Sequence, residues 1–131
     1  AIIAKIFKIR QILKGFQINF ANNNKNCCIE GRDISTKILP NSDVKFFFKC
    51  NLSLAAYRRY KELIKKNHKI KLKDVKKALR IRNNLDINRK SSPLLKHRDA
   101  IEIDTGKLNK KAMLKKMSKY VDEKIKKKYG I

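Results

Sequence analysis

The chain has 131 residues, enough for one domain with an apolar core. Its 35 Lys and Arg against 11 Asp and Glu give a formal net charge of +24. No apolar run approaches the ~18 residues needed to cross a bilayer, which argues against a transmembrane segment, and the N-terminal stretch has no continuous apolar core or cleavage site of a signal peptide.

Ile2, Ile3, Ile6, Ile9, Leu13 and Phe16 recur at spacings of three and four, which predicts an amphipathic helix over 2–20. An Asn-rich loop follows at 21–26. Residues 27–29 (Cys-Cys-Ile) form a short apolar run, a candidate buried strand ending at Glu30 and Gly31. Residues 44–50 give the strongest strand signal, bounded by Pro40, Asn41 and Ser42 before and Asn51 after. Leu54, Tyr57, Leu63 and Ile64 mark a helix whose basic face carries Arg58, Arg59, Lys61 and Lys65, and which breaks at Asn67 and His68. Val75, Leu79, Ile81 and Leu85 mark the next helix, over about 73–89. Ser91, Ser92 and Pro93 end it, because proline disfavours helical geometry in the residue before it. A short strand at 100–103 turns at Asp104, Thr105 and Gly106. Leu108, Leu114, Met117, Val121 and Ile125 stripe a final helix with Asn109 as N-cap and a Lys-rich tail expected to fray after Asp122. Short, nearly continuous apolar strands among helices are what a sheet covered on both faces requires, so the fold class is α/β.

So large a positive charge is the usual footprint of nucleic-acid binding. Here the excess is mostly Lys, accompanied by many Asn and Ile, and spread along the whole chain. That pattern is what AT-biased coding produces, and it selects for no partner. A small basic nucleic-acid-binding protein is therefore the alternative reading, one that needs a continuous basic surface. The three cysteines, Cys27, Cys28 and Cys50, have no C-x-x-C spacing and lie in apolar runs, which predicts buried thiols in a reducing compartment. His68 and His97 are isolated from Cys, Asp and Glu at ligand spacing, so neither suggests a metal or a catalytic triad.

Three constellations carry chemistry. Glu30, Gly31, Arg32 and Asp33 follow the first candidate strand, where open α/β sheets receive ligands. Arg82, Asp86 and Arg89, spaced by four and three, share one helix face, where two guanidinium forks can grip phosphate oxygens and the aspartate relieves their repulsion. Arg58 and Arg59 sit on a basic helix that can close over a polyphosphate as a lid. One feature is missing. The four glycines, Gly15, Gly31, Gly106 and Gly130, assemble no G-x-x-x-x-G-K-S/T loop.

Taken together, these segments resemble the bacterial cytidylate kinases. Residues 30–36 (E-G-R-D-I-S-T), with Pro40 and the strand beyond it, resemble the family's acidic residue and G-R-D-I-G-T run. Residues 58–63 resemble its R-R-Y-K-E-L lid helix. Arg82, Asp86, Asn88, Arg89, Pro93 and Leu94 resemble its R-x-x-x-D-x-N-R-x-x-x-P-L, and 99–105 resemble the strand before the last helix. The resemblance implies part of a P-loop NTPase parallel sheet of nucleoside monophosphate kinase type, flanked by helices. On that reading residues 1–131 form a single partial domain, the C-terminal part of the enzyme, with a lid-like helical region at about 52–90. The implied reaction converts ATP and CMP or dCMP to ADP and CDP or dCDP.

The same resemblance implies the roles. Arg10 contacts the cytosine ring and Asp33 reads its amino group. Arg82 and Asp86 lie near the phosphate and pentose, and Arg89 reaches the bound nucleotide. Arg32, Arg82 and Arg89 are the expected catalytic arginines, Arg58 and Arg59 act on the ATP side, and Glu30 helps hold the hydration shell of the Mg²⁺ that accompanies ATP. The implied partners are the small-molecule substrates alone, with no membrane and no nucleic acid, in a cytoplasmic enzyme that is monomeric at full length. The sequence departs from the family at Ser35, which replaces a glycine, at Ala55 and Tyr57 in the lid helix, and at Ala1, where the family tends to place a serine. The chain does not begin with Met, and without the phosphate loop residues 1–131 are expected to turn over nothing alone.

Overall fold

The computed structural model describes residues 3, 6–90 and 92–130; the readings placed on Ala1, Ile2 and Ser91 lie outside them. Its elements are α1 (Phe7–Asn23), a π-helical turn (Ile34–Ile38), β1 (Phe46–Lys49), α2 (Leu52–Ile64), α3 (Leu72–Asn88), β2 (Ile101–Asp104) and α4 (Lys110–Tyr129). Two compact units emerge: residues 1–42 with 81–97, and residues 43–80 with 98–131.

The second unit holds the sheet. β1 and β2 pair in parallel, Phe46 opposite Ile101 and Phe48 opposite Ile103. Parallel neighbours require a crossover, here supplied by α2 and α3 between them in sequence. Every apolar side chain buried among the described residues belongs to this unit: Ala56 of α2, Val75 of α3, and Ala100 and Ile103 at β2, with Ile103 and Ala56 both at 0% exposure. Phe46 meets Tyr120 of α4 edge-on, ring centroids 6.4 Å apart. The Asn51 side chain caps α2 by accepting from Ser53 N at 2.8 Å. Arg58 donates to the Thr105 carbonyl at 2.8 Å, while Thr105 N bonds the Lys49 carbonyl at 2.8 Å, so both strands are tied off at their C-terminal ends.

α4 begins where the sequence indicates: Asn109 Oδ1 accepts from Ala112 N at 2.8 Å. Its other end differs from expectation. The helix runs unbroken to Tyr129 and closes on Gly130 at φ 68°, a left-handed cap that favours glycine. Lys126, Lys127 and Lys128 occupy the last turn, where cations face the negative end of the helix dipole. Lys128 also bonds Asp43 at 2.9 Å, which raises its pKa. The inward phase differs in part: Leu108 and Met117 are half-buried as expected, but Met113 and Tyr120 join them, whereas Leu114 is 65% exposed and Val121 and Ile125 also face solvent. In α2, likewise, Tyr57 is exposed and Ala56 and Tyr60 take the inward face.

The first unit departs most from the sequence reading. α1 runs from Phe7, with Ile6 as its N-cap, through Asn23, so 21–23 are helix where a loop was expected. Residues 27–30 carry no strand pairing among the described residues, and Cys27, Cys28 and Cys50 are all exposed thiols, not buried ones. An apolar run becomes a strand only when a neighbour takes its backbone N–H and C=O groups, and this run has none among them. On α1, Ile12, Leu13 and Phe20 are exposed, and Phe16 reaches 68%.

The buried side of this structure is sharply localised, and the cost of trimming it should follow. Ile103→Val is expected to lower stability by about 0.5–1.5 kcal/mol, and Leu114→Ala to change it by no more than about 0.5 kcal/mol. Equilibrium urea unfolding checks both. A loss at Leu114 as large as at Ile103 would mean that α4 packs through its other face.

Candidate functional site

The first unit buries charge where the second buries carbon. Asp33 is 7% exposed and Asp86 5%. Ions taken out of water cost several kcal/mol each unless closely compensated, and four arginines surround these two. Arg10, on the second turn of α1, donates from Nη2 to Asp33 Oδ2. Arg89 Nη2 lies 3.7 Å from Asp33 Oδ1, and its Nη1 lies 3.6 Å from Asp86 Oδ1. Arg32 Nε stands 3.3 Å from Asp86 Oδ2, and Arg82 Nε 3.9 Å from the same oxygen.

Local structure brings these groups together. A Cβ on Gly31 would meet Ile34 Cγ1 at 2.7 Å, so any other residue there would force the Ile34 side chain to shift. The Asp33 carbonyl then accepts from Lys37 N at 2.9 Å and from Thr36 and Ile38 N at longer range. That opens the π-helical turn, a rare element often found at functional sites. Asp86, in the last turn of α3, and Arg89, just after its end, are i,i+3 and both buried at the side chain, while Arg82, one turn earlier, keeps an exposed side chain. The sequence places Asp86 between Arg82 and Arg89 to relieve their repulsion. In the structure its closer partners are Arg32 and Arg89.

The cluster is not self-satisfied. Four guanidinium groups against two carboxylates leave two positive charges. Asp86 Oδ2 and Arg89 Nη2 are buried with no hydrogen-bond partner among the described residues, their ion-pair neighbours being too far or badly aligned to bond. Arg89 has its pKa lowered, by burial first and by Arg10 second, with Asp33 and Asp86 opposing. It remains cationic at neutral pH and short of solvation. Such a group favours a doubly charged oxyanion, which supplies both charge and acceptors.

The structure therefore assembles Arg10, Arg32, Asp33, Arg82, Asp86 and Arg89 in one unit. Glu30 lies in the same unit but is exposed. Among the described residues no three His, Cys, Asp or Glu come together to hold a metal through protein ligands alone; a Mg²⁺ that accompanies ATP would be held mostly by phosphates and water, with one or two carboxylates at most. Arg58 and Arg59 belong to the second unit. Arg58 is engaged with Thr105, and Arg59 pairs with Glu62 at 2.8 Å. The tie between Arg58 and Thr105 was not foreseen, since nothing in the sequence links positions 47 residues apart.

A cluster of this make belongs with proteins that handle phosphate-bearing ligands, and comparison with known proteins narrows the class. The family model described as cytidylate kinase matches residues 1–123, and the chain belongs to that family. This membership implies the P-loop NTPase fold, with which two parallel strands and flanking helices are compatible. The chain is 35% identical over 123 residues to a cytidylate kinase of Rickettsia akari (strain Hartford), covering 94% of this chain and 56% of that protein. It is 35% identical over 130 residues to one from Clostridium tetani, covering 99% and 57%. To one from Pediococcus pentosaceus it is 37% identical over 120 residues, covering 92% and 53%. The chain thus spans about half the length of the curated relatives it matches.

Removing one partner of the cluster should expose its cost. Asp86→Ala takes from Arg32 its carboxylate and leaves Arg89 with Asp33 alone, and is expected to destabilise the chain by about 3–5 kcal/mol, whereas replacing Asp86 and Arg89 together by Leu and Met recovers most of that loss. Urea unfolding of the three proteins decides. A single-variant loss below about 1 kcal/mol would mean that the pairs are solvated.

Proposed function

We propose that the chain is the C-terminal portion of a cytidylate kinase and that its six-residue charged cluster is the nucleoside monophosphate site, taking CMP or dCMP. The observation that carries this reading is the convergence of Arg10, Arg32, Asp33, Arg82, Asp86 and Arg89 with two buried atoms unsatisfied. The two unbalanced positive charges match a phosphate monoester, which carries about −1.5 to −2 at neutral pH. The exposed apolar side chains of α1 and the unpaired backbone of 27–30 support a place within a longer protein.

Asp33 supplies base selectivity. Its carboxylate accepts from the exocyclic amine of cytosine. Uracil offers a carbonyl there, which would leave a buried acceptor unpaired and opposed. Arg10 contacts the cytosine ring and holds Asp33 in place. Arg82 and Asp86 address the phosphate and pentose. Arg32, Arg82 and Arg89 spread positive charge over the acceptor phosphate, so that its oxygen approaches the ATP γ-phosphoryl group in line, with positioning and charge neutralisation doing most of the work. Arg58 and Arg59 act on the ATP side, and Arg58 would have to leave Thr105 to do so. The glycine-rich phosphate loop is not in these residues.

Two consequences are measurable on the chain as it stands. It is expected to show no CMP-dependent ATP consumption. By calorimetric titration it is expected to bind CMP about tenfold or more tightly than UMP, a preference that Asp33→Ala abolishes. Equal affinity for CMP and UMP in the unsubstituted chain would contradict the reading.

A further inference from the structure

Ser92 holds a positive φ of 50°, a region that residues other than glycine, asparagine and aspartate rarely enter. It is also followed by Pro93, and a residue before proline is pushed toward extended geometry. Two local preferences are overridden at one position, and such outliers gather where a binding site needs a shape the chain would not otherwise adopt. What the conformation accomplishes is visible. The Ser92 carbonyl accepts from Arg89 Nε. Two residues on, Leu94 N returns to the Asp86 carbonyl at 2.8 Å. The segment after α3 thus folds back over the last turn of the helix and clasps the two residues that the cluster buries there.

We propose that Ser92 is a positioning residue for Arg89: its left-handed backbone aims the carbonyl at Nε and so fixes the guanidinium with Nη2 free for the ligand. Nε is one of five donors on a planar fork, and holding it fixes the plane of the other four. Nη1 then faces Asp86 at 3.6 Å, and Nη2 stays buried with no hydrogen bond among the described residues. A guanidinium without that tether could rotate Nη2 onto Asp33, 3.7 Å away, and satisfy itself. The tether keeps that bond open for an oxyanion. The proposal rests on the nucleoside monophosphate reading for the identity of the ligand, and on the ligand-free chain alone for the tether.

The test uses four variants that all keep the backbone carbonyl. Ser92→Gly and Ser92→Asn tolerate positive φ, while Ser92→Val and Ser92→Thr, being β-branched, resist it. In the ligand-free chain, nitrogen-edited NMR is expected to show the Arg89 Nε proton protected from water exchange in the unsubstituted, Gly and Asn proteins, and exchanging freely in Val and Thr. With CMP as probe, Val and Thr are expected to lose about tenfold in affinity and Gly and Asn no more than about twofold. A freely exchanging Nε proton in the unsubstituted or Gly protein overturns the proposal, even if the β-branched variants fail to fold. So does a protected one in folded Val and Thr proteins. The expected exchange pattern with no CMP binding to any protein would keep the tether and defeat the nucleotide reading instead.

Discussion

Asp33 and Asp86 lie almost out of water in a unit where, among the described residues, no apolar side chain is comparably buried, and their burial sets the terms for everything around them. Two carboxylates cannot stay charged there unaided, so Arg10, Arg32 and Arg89 are drawn from α1, the residues before the π-helical turn, and the segment closing α3. Such a centre is a poor way to gain stability. Ion pairs in a dry interior repay little more than the cost of dehydrating them, and an apolar core of the same volume would often do better. Charge retained at that cost, with a positive surplus and two atoms unsatisfied, is better understood as preparation for a ligand.

The second unit does the opposite work. Ile103, Ala56, Val75 and Ala100 give it a small apolar interior, and its hydrogen-bonded ends are tied by Arg58, Thr105 and Lys49. The first half of α3 carries Val75, and its last turn carries Asp86, about three turns further along, with Arg89 just beyond the helix end.

Much of this was legible in the sequence, for physical reasons that differ from place to place. The bounds of α3 were readable within a residue, because its apolar spacing and the proline beyond it agree. Asn109 was readable as a cap, because its side chain competes for backbone N–H groups wherever a helix begins. The grouping of Arg10 with Asp33 came from resemblance, since two residues 23 apart carry no local signal of contact. The phase of α4 was misjudged. A helix with lysines on all sides states its period clearly and its inward face weakly, so Met117 was placed inside correctly, but Leu114, Val121 and Ile125 were placed there in place of Met113 and Tyr120. Residues 27–29 read as strand because their side chains suit one, but a strand also needs a hydrogen-bonded neighbour. The conformation of Ser92 left no trace at all, because a serine before proline signals only that the helix has ended.

The account stands or falls on where CMP binds. Backbone and arginine side-chain NMR of the labelled chain, titrated with CMP at physiological salt, locates it directly. The account predicts saturable shifts confined to Arg10, Arg32, Asp33, Arg82, Asp86, Arg89 and their immediate neighbours, with the phosphorus resonance of CMP moving in step. Shifts spread over the lysines of α4 and vanishing with added salt would contradict it, for they would mark a basic surface attracting any anion.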